Sequence, residues 1–463
     1  MKDVARMATW LVLIAGAAAV PAARAQKQTP PEGGPAKAFS VPGNETYALS
    51  NGLKVTLVPY GLVPKAALSV AVDAGGVNQG NNRIGVADLT AELLKEGTVT
   101  LPAEQVAEEA ARMGSTLEVS AGADQTTVGL DVLEEFAPDA VRLLADVLEH
   151  PRLPESELAR LKNNMLRQIA VRGARPQTIA LIRFRKILYE DHPYAIVLPS
   201  EADVKKLTEQ DVKDYFGSNF GAQRAHLYVA GRFDPAAVKK AVAESFGHWA
   251  KGSARVDQKA SAKPRRVLDL TDRPGAPQST LIVGLPVASP VSPDAIPLGV
   301  TNALLGGSFN SRITANIREQ KGYSYSPRSE VSRRYHEAYW AETADVTTLS
   351  TGPSLKEILG EIMRLESEPP SGPELKGIQN YLSGLFVIQN SSRGALIGQL
   401  QYVDLQGLGE DYLKTYVAKV NAVTPADVQR MAGQYLKPAE MTIVVVGDKA
   451  KIQEQLMPYE GGK

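Results

Sequence analysis

Two short constellations in this chain carry side chains whose types and spacing could do chemistry. The first lies in Gly85-Val86-Ala87-Asp88-Leu89-Thr90-Ala91-Glu92-Leu93-Leu94-Lys95-Glu96-Gly97-Thr98, where Asp88 and Glu92 stand four apart. On a helix that spacing puts both carboxylates on one face, one turn apart. Such a pair suits a hard cation, Mg²⁺ or Ca²⁺, better than Zn²⁺, but two carboxylates are few ligands for a dedicated site, so a polar, cleft-facing pair is the plainer expectation. The second constellation runs from Leu304-Leu305-Gly306-Gly307-Ser308-Phe309-Asn310-Ser311-Arg312 into Ile317-Arg318-Glu319-Gln320-Lys321-Gly322-Tyr323-Ser324-Tyr325-Ser326, and places Arg318 and Tyr325 seven apart. A guanidinium can hold a carbonyl or carboxylate with paired donors, and a phenol can donate to an oxyanion. The competing account is a structural Arg capping acidic groups beside a half-buried Tyr. The double glycine is not a phosphate loop, because the Gly-Lys-Ser/Thr ending is missing.

Other chemistries are excluded by absence. The chain has no cysteine, which removes disulfides, thiolate zinc sites and cysteine nucleophiles together. Its five histidines (His150, His192, His226, His248, His336) form no H-x-x-E-H or H-x-x-x-H pair. Charge is balanced at 51 basic and 51 acidic residues, so neither nucleic acid nor an anionic membrane surface is an expected partner.

Positioning these groups requires more than one core, since 463 residues exceed what a single core serves. Alternating strands such as LKVTLVPY, AALSVAVDAGG and TLEVSAG mix with amphipathic helices such as EQVAEEAARMG and DAVRLLADVLEH. The chain also repeats itself. Thr208/Thr424, Asp211/Asp427, Val212/Val428, Gly217/Gly433 and Gly231/Gly447 all differ by 216 residues, and Glu157-Leu158 and Asn163 recur at a step of 217 as Glu374-Leu375 and Asn380. Ordered matches in two clusters argue for an internal duplication. The expected class is α+β: two homologous α/β sandwich lobes, each an antiparallel or mixed sheet covered by helices on one face, around a central cleft. The expected lobes are 39–250 and 267–455. Between them, 251–266 (KGSARVDQKASAKPRR) has no apolar period and reads as a linker.

Strand, Asp73-Ala74-Gly75-Gly76 turn, then a helix closing in Gly97-Thr98: this order resembles the pitrilysin/insulinase family of inverted-motif zinc peptidases. In that family the helix carries H-x-x-E-H, two zinc-binding imidazoles with a general-base Glu between them, and a later helix supplies a third, carboxylate ligand. Here the motif positions are Asp88, Ala91 and Glu92, and the later place, in LARLKNNMLRQI, is Gln168. Every expected ligand is replaced, so no zinc or other cofactor is expected in this chain. GGSFNSR…REQKGYSYS, by contrast, resembles the family's second-lobe signature, whose Arg and Tyr (here Arg318 and Tyr325) reach toward the scissile peptide. The resemblance covers about Ser40 to Gly447. Some bacterial members are heterodimers in which one subunit brings zinc and the other the Arg and Tyr, and this chain resembles the second kind.

The resemblance therefore implies a subunit, inactive alone, that acts in trans with a homologous zinc-bearing partner on peptide substrates. A non-catalytic structural or peptide-binding scaffold is the alternative, and a stand-alone hydrolase with an unfamiliar metal set is a third reading that the missing histidines weigh against. At the N-terminus, Lys2 and Arg6 precede the apolar run Met7 to Val20 and the small-residue site Ala23-Arg24-Ala25, the three-part pattern of a cleaved export signal over 1–25. The run is too short for a membrane span, which needs about 20 residues. Cleavage removes three basic residues and one acidic, leaving a net charge of −2. A disordered tether is expected over 26–38 (QKQTPPEGGPAKA), and a periplasmic or secreted location with no stable membrane anchor follows.

Overall fold

A computed structural model describes residues 42–409 and 411–460. The expected export signal and tether lie outside the described residues.

The strand-forming runs assemble into two sheets. In the first half, β1 (Glu45–Ala48), β2 (Lys54–Pro59), β3 (Lys65–Val72), β4 (Glu118–Ala121), β5 (Thr126–Leu133) and β6 (Ala225–Gly231) are ordered β1-β2-β6-β3-β5-β4. In the second, β7 (Val267–Asp272), β8 (Gln278–Pro286), β9 (Arg328–Arg334), β10 (Glu337–Thr347) and β11 (Thr442–Gly447) are ordered β7-β11-β8-β10-β9. The β2/β6 and β7/β11 pairs are parallel and every other neighbour is antiparallel. With β1 set aside, the two sheets share one topology. The register agrees with the repeat: Gly231 lies opposite Pro59, and Gly447 opposite Asp272.

The repeat extends to the helix starts. Thr208 opens helix Glu209–Asn219 with a capping box, its Oγ1 accepting from the Asp211 amide at 3.2 Å while its own amide donates to the Asp211 carboxylate at 2.9 Å. Thr424 opens helix Pro425–Tyr435 the same way with Asp427, at 3.2 and 3.0 Å. Such a cap is worth about 1 kcal/mol, and it satisfies amides that the helix itself leaves free.

Strand β5 shows the alternation of a half-covered sheet: Thr126, Val128, Leu130 and Val132 are buried and the residues between them are not. The central strands differ. β6 is buried at all seven positions and β11 at all six. Near-continuous apolar runs of this kind mark strands covered on both faces. One face packs on the half's own helices, with Val141, Leu144 and Leu148 of helix Ala137–Glu149 joining Leu68, Val70 and Val128 in one core. The other face is covered by a helix from the opposite half. Ala180, Phe184 and Leu188 of helix Pro176–Tyr189 pack with Ile282, Tyr339, Val444 and Val446 of the second sheet. Reciprocally, Leu396 and Ile397 of helix Arg393–Gln406 pack on Ala67, Ala71, Tyr228 and Ala230 of the first. Coverage on one face was the expectation. The exchange corrects it, and the physical reason is that TIVVV is apolar on both faces, while the His226 and Tyr228 face of HLYVA is covered by the exchanged helix, whose Asp404 meets His226.

Residues 251–266 form neither helix nor strand. They are nevertheless held at several points: Arg255 stacks on the Tyr335 ring at 3.8 Å and pairs with Asp73 and Asp257, and the Arg265 carbonyl accepts from Thr442 Oγ1 at 2.9 Å.

Candidate functional site

Gly85 precedes helix Val86–Leu93 with a φ of 93°, a left-handed conformation that favours glycine, and its amide donates to Gln79 Oε1 at 2.9 Å. Val86, Ala87, Leu89, Thr90, Ala91 and Leu93 are buried, which leaves Asp88 and Glu92 on the remaining face. Helix Glu155–Gly173 packs beside it through Leu158, Leu161 and Met165, and its Asn164, Gln168 and Arg172, spaced by four, form one stripe. These two faces meet across a cavity of ≈ 430 Å³ whose lining includes Asp88, Ala91, Glu92 and Gln168 together. Strand β4 and Gly122-Ala123 form another wall, and the cavity is completed by Arg185 and Tyr194 and by Arg334 of the second sheet.

The electrostatics are not those of a metal site. Asp88 is open to solvent within the cavity, yet the surrounding walls remove much of its hydration, and this desolvation raises its pKa; Arg172 opposes the shift and Glu92 adds to it. Glu92 pairs with Lys95 at 2.7 Å. Position 91 offers a methyl group and position 168 an amide. Among the described residues, no group of three or more His, Cys, Asp or Glu side chains is placed to hold a metal ion. A zinc ion needs imidazole, thiolate or carboxylate donors in a tetrahedral set, and these residues do not fit it. A hard cation fares no better, because three guanidinium groups line the same space and a six-oxygen shell is lacking.

In the second lobe, Ala303–Gly307 and Ala315–Gln320 are π-helical turns around the short helix Arg312–Thr314. The double glycine is explained by packing. A Cβ at Gly306 would sit 2.5 Å from Glu342 Oε2 and from Ser329 Oγ, and one at Gly307 would meet the Asn302 side chain. Arg312 is bound by both oxygens of Glu374, at 2.8 and 3.0 Å, which fixes the start of the segment. Arg318 is layered between two rings, 4.4 Å from the Phe309 centroid and 5.1 Å from that of Tyr325, with Glu319 at 3.2 Å. Tyr325 is 81% exposed and Phe309 65%. Neither Arg318 nor Tyr325 lines the cavity of Asp88.

The four first-lobe positions named from sequence thus share one cavity, and the second-lobe pair shares a separate surface. Two features escaped sequence reading. Phe309, the second ring on Arg318, sits in a segment already singled out, and an aromatic beside Gly-Gly was the available signal. Arg185 and Arg334 gave none, because they reach the cavity only through the helix exchange.

Two α/β lobes of shared sheet topology, with no group of metal-ligating side chains among the described residues, define the class of fold. Comparisons with known proteins agree. Residues 60–199 match the domain described as insulinase (peptidase family M16), and residues 206–382 match the peptidase M16 inactive domain. The chain belongs to the peptidase M16 (insulinase) family. It is 24% identical over 397 residues to a Bacillus subtilis protein named an uncharacterized zinc protease, YmxG, spanning 84% of this chain and 94% of that protein. It is 22% identical over 398 residues to a Helicobacter pylori protein named a non-peptidase homolog, spanning 84% and 90%. It is also 22% identical over 436 residues, 89% and 93% of the two chains, to the mitochondrial-processing peptidase subunit beta of Saccharomyces cerevisiae. Among solved structures, a peptidase M16 inactive domain from Pseudomonas fluorescens superposes with a TM-score of 0.80 at 23% identity, covering 87% of this chain and 98% of that one. A protease from Helicobacter pylori does so at 0.83 and 19%, covering 88% and 100%. This chain is therefore a homologue of peptidases that carries the family's inactive domain.

Proposed function

We infer that this chain is the metal-free subunit of an exported peptidase pair, and that it supplies Arg318 and Tyr325 to the active site of a homologous zinc-bearing H-x-x-E-H subunit that hydrolyses peptides. One observation carries the reading: a phenol is presented to solvent over a clamped guanidinium, on a surface away from the chain's own cavity. An exposed Tyr–Arg–Phe layer has no packing duty that a shorter residue would not serve. It is suited to a substrate carbonyl delivered from outside, with the guanidinium fixing the carbonyl and the hydroxyl donating to the developing oxyanion. Export rests on the basic, apolar and small-residue pattern of residues 1–25, and predicts a mature chain beginning at Gln26 in the periplasm. No helix among the described residues is long and apolar enough to cross a membrane.

The test is purification from the native source, followed by peptide cleavage with the co-purifying zinc subunit. Tyr325→Phe removes only the hydroxyl, and loss of one oxyanion donor costs about 10²–10³ in kcat. Arg318→Ala should also raise KM. Full activity in both variants with assembly intact would leave the non-catalytic scaffold, and failure to assemble would make the pair structural.

A further inference from the structure

The cavity that holds the blank metal positions has a charge pattern of its own. Arg172, Arg185 and Arg334 all line it, and none lies within 4.0 Å of a carboxylate oxygen among the described residues. Arg172 has two local reasons to be there: it ends helix Glu155–Gly173, where a cation complements the helix dipole, and it acts on Asp88. Arg185 and Arg334 have neither. Arg185 lies against the Tyr339 ring and reaches its hydroxyl only at 3.4 Å, and its Nε is buried with no hydrogen-bond partner. Arg334, at the end of β9 on the far sheet, donates through its Nη1 to the neighbouring Arg333 carbonyl at 3.1 Å.

The acids facing this pair are already engaged or, for Glu337, partly protonated at neutral pH. Glu92 is held by Lys95, and Asp124 takes the Tyr194 hydroxyl. Glu337, cross-strand from Arg334, makes no ion pair with it, and desolvation lifts its pKa to about 7. Asp88 sits beside Arg172. Two guanidinium groups, brought in from opposite halves by the helix exchange, therefore have no ion-pair partner among the described residues.

We propose that Arg185 and Arg334 form a carboxylate-binding subsite in this cavity that captures the free C-terminus of a peptide. A guanidinium fork matches a carboxylate in geometry, and buried or half-buried donors without partners are costly unless a ligand supplies them. A peptide is the carrier because the cavity is bordered by β4, the last strand of its sheet, whose Val119, Ser120 and Ala121 line it and whose outer edge can pair with an extended backbone. Its volume lies in the range of ligand pockets. Capture of this kind needs no partner subunit, so its outcome is separable from the role of Arg318 and Tyr325.

The test is fluorescence anisotropy on the purified mature chain with N-terminally fluorescein-labelled decapeptides. The three probes are a free acid, the same sequence as a C-terminal amide, and an amide carrying an internal Glu. The free acid should bind about 10-fold or more tightly than either amide. Arg334→Gln and Arg185→Gln should each lower the free acid toward the amide level while leaving the zinc-independent fold, read by circular dichroism, unchanged. Arg334→Gln is the safer variant, since Arg185 also packs on Tyr339. Equal affinity for acid and amide, or discrimination that survives in Arg334→Gln, would overturn the subsite. Tight binding of the Glu-bearing amide would assign the carboxylate to a side chain and overturn C-terminal capture.

Discussion

Phe184 tests whether the helix exchange makes the two lobes one cooperative unit. It belongs to the first half of the chain, is fully buried, and packs edge-on against Tyr339 of the second sheet with ring centroids 5.3 Å apart. Phe184→Ala deletes the whole ring from that interface, and such truncations cost about 3–5 kcal/mol through lost transfer energy and the cavity left behind. About 420 residues unfolding together carry an entropy of roughly 0.9 kcal/mol per kelvin. A single transition should therefore fall by roughly 3–6 °C. If only one half melted with the lost contact, the same loss would lower that half by roughly 7–11 °C and leave the other in place. Differential scanning calorimetry separates the cases. Leu396→Ala, on the helix exchanged in the other direction and also fully buried, should lower the same single transition. Two resolved transitions, only one of them shifted by each variant, would refute the coupling.

Asp404 accepts from Lys54 at 3.2 Å and from His226 Nδ1 at 3.2 Å. Burial raises its pKa, but the hydrogen bond and charge of His226 and the charge of Lys54 outweigh this and hold it at about 2. Because the folded value lies below the unfolded one, the stabilisation is present above about pH 5 and is lost as pH falls toward 2, and Asp404→Asn should lower stability at pH 7 by about 1 kcal/mol after screening and flatten that acid limb in urea titrations. Glu342 is fully buried, and desolvation raises its pKa well above the usual range against a weaker effect of the Arg328 amide. Its folded form keeps a proton that the unfolded chain releases, so stability should fall as pH rises above the unfolded value; Glu342→Gln should remove that slope and raise the urea midpoint at pH 8 more than at pH 5. Trypsin should cut the described chain first at the exposed Lys259, and the nicked pieces should still elute as one species, because each half covers the other's sheet.

The fold was legible wherever one local pattern decided the outcome. Thr208 with Asp211 and Thr424 with Asp427 announce two equivalent helix starts, and their spacing carries the duplication. The alternation in β5 announces a half-covered strand. The exchange was not legible, because Phe184 and Leu396 are apolar residues on amphipathic helices and periodicity cannot say which sheet receives them. The continuous burial of HLYVA and TIVVV was the one available hint. At the site, Asp88, Ala91 and Glu92 share one helix whose register sequence spacing expresses directly, whereas Gln168, on a separate helix, was reached only through the family resemblance. Arg185 and Arg334 were hidden because their proximity to that place is tertiary.

The exchange also bears on why the cavity keeps its shape without a metal. A bound ion ties together helices that would otherwise be held only by packing. Here the first helix buries six of its eight residues, and the opposite wall is fixed by the packing of Phe184, on the same helix as Arg185, against Tyr339 of β10, the strand paired with Arg334's β9. The walls therefore stand without a metal ion to tie them. What remains is a preformed space with polar donors from both halves, and any movement of one lobe against the other would change the separation of Arg185 and Arg334. Ligand binding between them should accordingly stabilise the whole described chain as one unit, raising the single melting transition by RT ln(1 + [L]/Kd) in free energy, about 2.7 kcal/mol at a hundredfold excess over Kd. With the entropy of the full chain this is roughly 3 °C, and the gain should vanish in Arg334→Gln while the melting point of the free variant stays at the wild-type value. A ligand that shifted only part of the unfolding profile would mean that the cavity belongs to one lobe alone.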